Sequence, residues 1–144
     1  MLAPEQIQKI PFRGSSMDPI LQNAEAVWID FSKVERPKVG EVIVYQENKR
    51  EFICHRLIGV TGDAFIVKGD NSLCFERLPR GAHWGRVVAF EKNGETHRLK
   101  NHVLFGPYCW LQMHFQKTNS NLARRLARKL GLVYLSFVKR LIAQ

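Results

Sequence analysis

The 144-residue chain reads as a mainly β protein, a folded and partly closed antiparallel sheet, with a C-terminal α-helical tail. Three observations lead there. Apolar segments of strand length recur between Gly-, Asp- and Asn-bearing turns from Ala26 to Lys100. Asn93-Gly94, set between Val87–Glu91 and Thr96–Lys100, is the dipeptide that two-residue hairpin turns favour. After Thr118 the apolar spacing becomes that of a helix face.

The elements follow in order. Met1 to Arg13 reads as an extended lead-in, because Pro4 and Pro11 discourage a helix. Gly14-Ser15-Ser16-Met17-Asp18-Pro19 is a stiff turn: Pro19 fixes its own backbone angle and biases Asp18 towards an extended conformation. Ala26 to Phe31 is a strand, and Val34 to Gly40, with Pro37, a turn. Glu41 to Gln46 alternates Val42 and Val44 against Ile43 and Tyr45, too apolar on both faces for an exposed edge. Glu47 to Glu51 is a charged hairpin connection, and Phe52 to Val60 returns as a strand. Thr61-Gly62-Asp63 turns into Ala64–Lys68, and Gly69-Asp70-Asn71 turns again.

Phe105-Gly106-Pro107-Tyr108 reads as a break in the chain, followed by an aromatic-rich connector, Cys109 to Phe115. Asn119 or Ser120 can cap a helix running to about Ile142. Its stripe is Leu122, Leu126, Val133, Phe137 and Leu141, with Arg124, Arg125, Arg128 and Lys129 opposite. Leu132 and Leu135 lie off that stripe, so the helix is apolar most of the way round after Gly131 and needs a covering partner. Two units result, 1–104 and 105–144.

Hydrophobic content of 45% with 24% charged residues is that of a globular chain, and this length buries a single core. Cys54, Cys74 and Cys109 form no CxxC pair, so buried, reduced thiols are expected rather than a disulfide framework or a zinc site. His83, His97, His102 and His114 have no metal-site spacing; neither metal nor organic cofactor is expected. Met1 to Ile10 lacks the apolar core of a signal peptide, and no apolar run reaches the roughly 20 residues of a membrane span. A cytoplasmic chain, peripheral at most to a membrane, is the expectation.

The net charge of +9 is uneven: residues 1–117 carry sixteen basic and thirteen acidic side chains, while Thr118 onward carries six basic and none acidic. A basic amphipathic helix suits an anionic membrane surface or an acidic peptide, and the alternative is a helix packed on the sheet with a solvated basic face. No helix-turn-helix precedes Ser16, so no nucleic-acid partner is expected.

Three segments carry chemistry. A serine hydroxyl becomes a useful nucleophile when a neighbouring base takes its proton and a third group orients that base. Ser16 stands on the Gly/Pro-bounded turn, His55 in an apolar strand and Asp70 on the Gly-Asp-Asn turn, one candidate for each role. Alternation puts His55 on the strand face of Ile53 and Leu57, away from Cys54. Burial there favours the neutral imidazole, with any nearby carboxylate opposing it. Arg56 and Arg86 read as ion-pair or surface residues.

Ser16-Met17-Asp18-Pro19, Gly40 to Tyr45, His55-Arg56, Lys68-Gly69-Asp70-Asn71 and Gly85-Arg86-Val87-Val88 together resemble the type I signal peptidase family and its relatives, which include self-cleaving repressors. The resemblance spans Phe12 to Phe90, and His55-Arg56 resembles the histidine-base subtype rather than the lysine-base one. It implies a signal-peptidase-like sheet and a serine endopeptidase, with Ser16 rather than Ser15 as nucleophile and His55 as general base. The oxyanion would be held by the Ser16 backbone amide, with help from Ser15. The subtype also shows an acid six positions after the Gly-Asp-Asn aspartate, here Glu76, so Asp70 or Glu76 orients the imidazole and the other structures the turn. The expected substrate is a peptide or preprotein. Family members usually carry a membrane helix ahead of the serine, so its absence here points to a small precursor, such as the leader of a modified peptide. Two other readings remain: a non-catalytic module of the same fold that binds extended peptides by strand addition, and a self-cleaving regulatory protein.

Overall fold

A computed structural model of the chain describes residues 6–32, 36–48, 51–82, 84–101 and 103–142. The strands are β1 (Ile7–Pro11), β2 (Ala26–Asp30), β3 (Val42–Asn48), β4 (Glu51–Val60), β5 (Ala64–Lys68), β6 (Phe75–Pro79), β7 (Trp84–Lys92) and β8 (Glu95–Arg98). Two helices follow, α1 (Phe105–Gln116) and α2 (Asn121–Ile142). All strand pairs are antiparallel, in the order β1-β2-β7-β3-β4-β5-β6, with β8 on β7. The sheet stays open, with β1 and β6 at its ends. β7 is its hub. Its first residues pair with β3 (Ile43↔Arg86), its middle with β2 (Trp28↔Ala89), and its end with β8 (Phe90↔His97).

Apolar residues in both phases of β3, β4 and β5 call for burial on both sides of the sheet. Val42, Val44, Cys54, Ile58 and Ile66 form one core with the helices. Ile43, Tyr45, Leu57, Phe65, Val67 and Trp84 form a second core on the other face, where the Phe65 and Trp84 rings meet edge-on at 6.3 Å.

Three elements differ from the sequence reading. The lead-in contains β1, paired along β2 from Ile7↔Asp30 to Pro11↔Ala26. β6 is an additional edge strand with Glu76 and Arg77 exposed, a charged pattern that hides its strand character. Phe105-Gly106-Pro107 opens α1 rather than breaking the chain. Proline is tolerated in a first helical turn, where the amides have no acceptor four residues back.

Ser120 caps α2 as expected, its Oγ accepting from the Ala123 amide at 3.2 Å. The packed face of α2 is Ala127, Gly131, Leu135 and Val138, not the stripe of larger residues, which lies outward. Small side chains decide this, because they let α1 approach closely. A Cβ on Gly131 would come within 2.7 Å of Gln112 Nε2 and 2.8 Å of Tyr108 Cε2. Gln112 donates to the Ala127 carbonyl at 3.1 Å across that contact. Phe105, Tyr108, Cys109, Leu135 and Val138 share a core with the sheet, so residues 105–142 form a layer of one domain.

Cys54 and Cys109 are buried free thiols, whereas Cys74 is exposed, against the expectation of burial for all three. Among the described residues no helix is long and apolar enough to cross a membrane. His83 and His102 lie outside the described residues.

Candidate active site

The loop after β1 is shaped by what it buries. Met17, Ile20 and Leu21 sink into the core and leave Ser15 exposed and Ser16 half-buried at its rim. The turn closes through Asp18 N donating to Ser15 O at 3.1 Å and Leu21 N to Met17 O at 3.1 Å. The Gly-Asp-Asn turn then pins it, because the Asn71 amide donates to Ser16 O at 2.8 Å and Asn71 Nδ2 to Ser15 O at 3.2 Å. Helix α2 holds both loops: Lys139 Nζ donates to Pro19 O at 2.6 Å, and an Arg128 guanidinium nitrogen to Asn71 O at 3.4 Å.

Gly69 is where the pieces converge. A Cβ at that position would lie 2.8 Å from Ser16 O and 3.1 Å from His55 Nε2, and would overlap Ser72 Oγ. Only glycine leaves room for the serine loop and the imidazole to face one another. No hydrogen bond joins Ser16 Oγ to His55 Nε2 among the described residues. The Ser16 amide donates to no protein acceptor among them, which leaves it available to an oxyanion.

His55 is buried on the face of Tyr45 and Leu57. Its Nδ1 lies 3.2 Å from the Tyr45 hydroxyl and 3.6 Å from Glu76 Oε1. The Tyr45 hydroxyl itself donates to Glu76 Oε2. Burial and then the bond to Glu76 push the tyrosine pKa up, so it stays protonated. With its hydrogen on Glu76, the hydroxyl has only lone pairs to offer, so His55 Nδ1 carries the proton and Nε2 is the free base. Burial lowers the His55 pKa below its ordinary value; Glu76 and Asp70 pull it up, and Lys68 pulls it down.

Asp70 does not reach the imidazole. Its two carboxylate oxygens accept from Arg56 Nε at 2.8 Å and from a terminal Arg56 nitrogen at 2.6 Å, a fully buried bidentate pair. Arg56 alternates with His55 along β4 and points to the helix side, where it also donates to Gly40 O at 2.7 Å and stacks over Phe105 at 4.2 Å. Burial opposes its charge, but the charge and hydrogen bonds of Asp70 prevail and raise its pKa. Of the two acids left open by the sequence, Asp70 is bound to Arg56 and braces the turn, while Glu76 is the one that faces the histidine.

Two residues of the site escape sequence reasoning. Tyr45 bridges Glu76 to His55, visible only once the register Ile43↔His55 and Tyr45↔Ile53 puts both rings on one face. Lys68 is buried opposite Arg56, donates to Gly69 O at 3.3 Å, and has its pKa lowered to about 8 by burial. The basic residue beside Gly69-Asp70 was the only signal for it. Among the described residues no cluster of His, Cys, Asp and Glu could hold a metal ion. No protein-family model matches the chain, and no curated protein matches it significantly.

Proposed function

We propose that the protein is a serine endopeptidase that cuts a peptide bond in a precursor peptide or preprotein, with Ser16 as nucleophile and His55 as general base. The observation that carries this reading is the directed imidazole: Nδ1–H is held by Tyr45, with Glu76 Oε1 3.6 Å away, and Nε2 faces the space beside Gly69 that Ser16 borders. Ser16 Oγ attacks the substrate carbonyl as Nε2 takes its proton. The tetrahedral oxyanion lies against the Ser16 amide. Its collapse breaks the C–N bond, and the imidazolium returns its proton to the leaving amine. Water then attacks the acyl-serine, giving its proton to Nε2, and releases the free carboxylate and the serine. Glu76 and Tyr45 hold one tautomer and stabilise the transient imidazolium.

The test is cleavage of a library of proteome-derived peptides, read by mass spectrometry of new termini. The intact chain is expected to cut internal bonds. Ser16→Ala and His55→Ala lose at least about a hundredfold, the lower end of what a general base contributes, while Ser15→Ala keeps measurable activity. Undiminished cutting by Ser16→Ala would overturn the assignment.

A further inference from the structure

We propose that the outward face of α2 docks on an anionic membrane surface, with the helix lying flat in the headgroup layer. Leu122, Leu126, Leu130, Val133, Phe137 and Leu141 are 45% to 72% exposed. At about 100° per residue they fall within one band of about 100°. Scattered exposed leucines are ordinary on a protein surface; an unbroken stripe along a helix of about 33 Å is not. Arg125 and Lys129, expected opposite the stripe, are instead exposed with Arg140 along one edge of it. An apolar band flanked by cations is the form of a helix that lies in a lipid interface.

Grooves of matching chemistry lie at the two ends of the stripe. At its start, Leu73, Leu122 and Leu126 line a groove of about 530 Å³ together with Arg125, Arg128 and Lys129. At its end, Leu141 and Ile142 join Phe90 and Leu99 in a groove of about 580 Å³ with Lys92, Arg98, Lys100 and Lys139 also in its lining. Neither lining contains a carboxylate. Each offers an apolar wall for acyl chain and cations for a lipid phosphate.

Charge favours lipid over a second copy of the chain. Residues 1–95 carry thirteen basic and thirteen acidic side chains, while residues 96–144 carry nine basic and none acidic, so the whole net charge of +9 resides in this part. Two such faces pressed together would repel, whereas an anionic bilayer neutralises them. Leu73 follows the Gly-Asp-Asn turn closely, so docking brings the candidate active site to the membrane without any spanning segment. This inference does not depend on the peptidase reading, since vesicle binding is measured without a substrate.

The experiment is co-sedimentation of the full chain with phosphatidylcholine vesicles, with and without phosphatidylglycerol, at low and high salt. Binding is expected to the anionic vesicles only, and to fade as salt rises. Arg125→Gln with Lys129→Gln should weaken it about 25-fold, at about fivefold per cation. Val133→Asp with Phe137→Asp should abolish it with melting unchanged. No binding by the parent at low salt overturns the proposal, as does undiminished binding by the Asp double variant. Collapse of that variant's fold would show that this face is covered by the chain itself. A dimer in sedimentation velocity that the Asp pair dissolves, without vesicle binding, would assign the face to a second copy.

Discussion

His55 sits between opposing influences on its charge, and they make its role measurable. Burial disfavours the imidazolium more than Glu76 and Asp70 favour it, so the acid limb of a rate profile should have its midpoint below the ordinary histidine value of roughly 6.5. Glu76→Gln removes a negative neighbour, so the limb should move to still lower pH while kcat falls at least about tenfold. An unmoved limb would mean that Glu76 does not act on the imidazole. Asp70 has the opposite signature. Removing it strands Arg56 in the core, so Asp70→Ala should lose about 3–5 kcal/mol in urea unfolding, whatever happens to activity. Lys68 adds a third signature. Its folded pKa of about 8 lies below the usual 10.5, so it opposes folding fully below pH 8, and that penalty fades as pH rises to 10.5. Lys68→Met should therefore raise stability at pH 7, by up to about 3 kcal/mol, and flatten the rise between pH 8 and 10.5.

At the scale of elements, legibility in the sequence depended on where the chemistry of a segment was decided. β2 to β5 and β7 read out as apolar runs of strand length between turns, because most of their residues are buried. β6 did not, since an edge strand with Glu76 and Arg77 outward resembles a loop. Periodicity gives α2 as a helix with its cap and marks its largest apolar residues, but leaves open what covers them; the face packed against α1 is the one with the smallest residues, which no periodicity singles out. Gly131→Val should cost about 1–3 kcal/mol or more by overpacking that contact. Leu135→Ala should cost about 2–5 kcal/mol, and Leu130→Ala less than about 0.5, as thermal melts would show. The site divides in the same manner. Ser16 and His55 lie in recognisable local motifs, while Tyr45 and the choice of Glu76 over Asp70 depend on which strand face each residue occupies.

At the scale of the molecule, one core runs from the Ser16 loop through the sheet into both helices. Met17, Leu21, Val44, Tyr108 and Leu135 belong to the same cluster. A chain truncated after Thr118 should therefore show no cooperative melt, while the full chain unfolds in one step. A truncated form melting like the parent would mean that α2 is an independent appendage. The same unity has a kinetic consequence at the loops that Lys139 and Arg128 hold. The Asn71 amide is bonded to Ser16 O, and the Asn71 carbonyl to Arg128 on α2. Its exchange with deuterium should then follow the lifting of α2 rather than local fraying of a surface turn. A helix that settles on vesicles would slow that single exchange rate, and one backbone proton beside the serine would report what happens along the far length of α2.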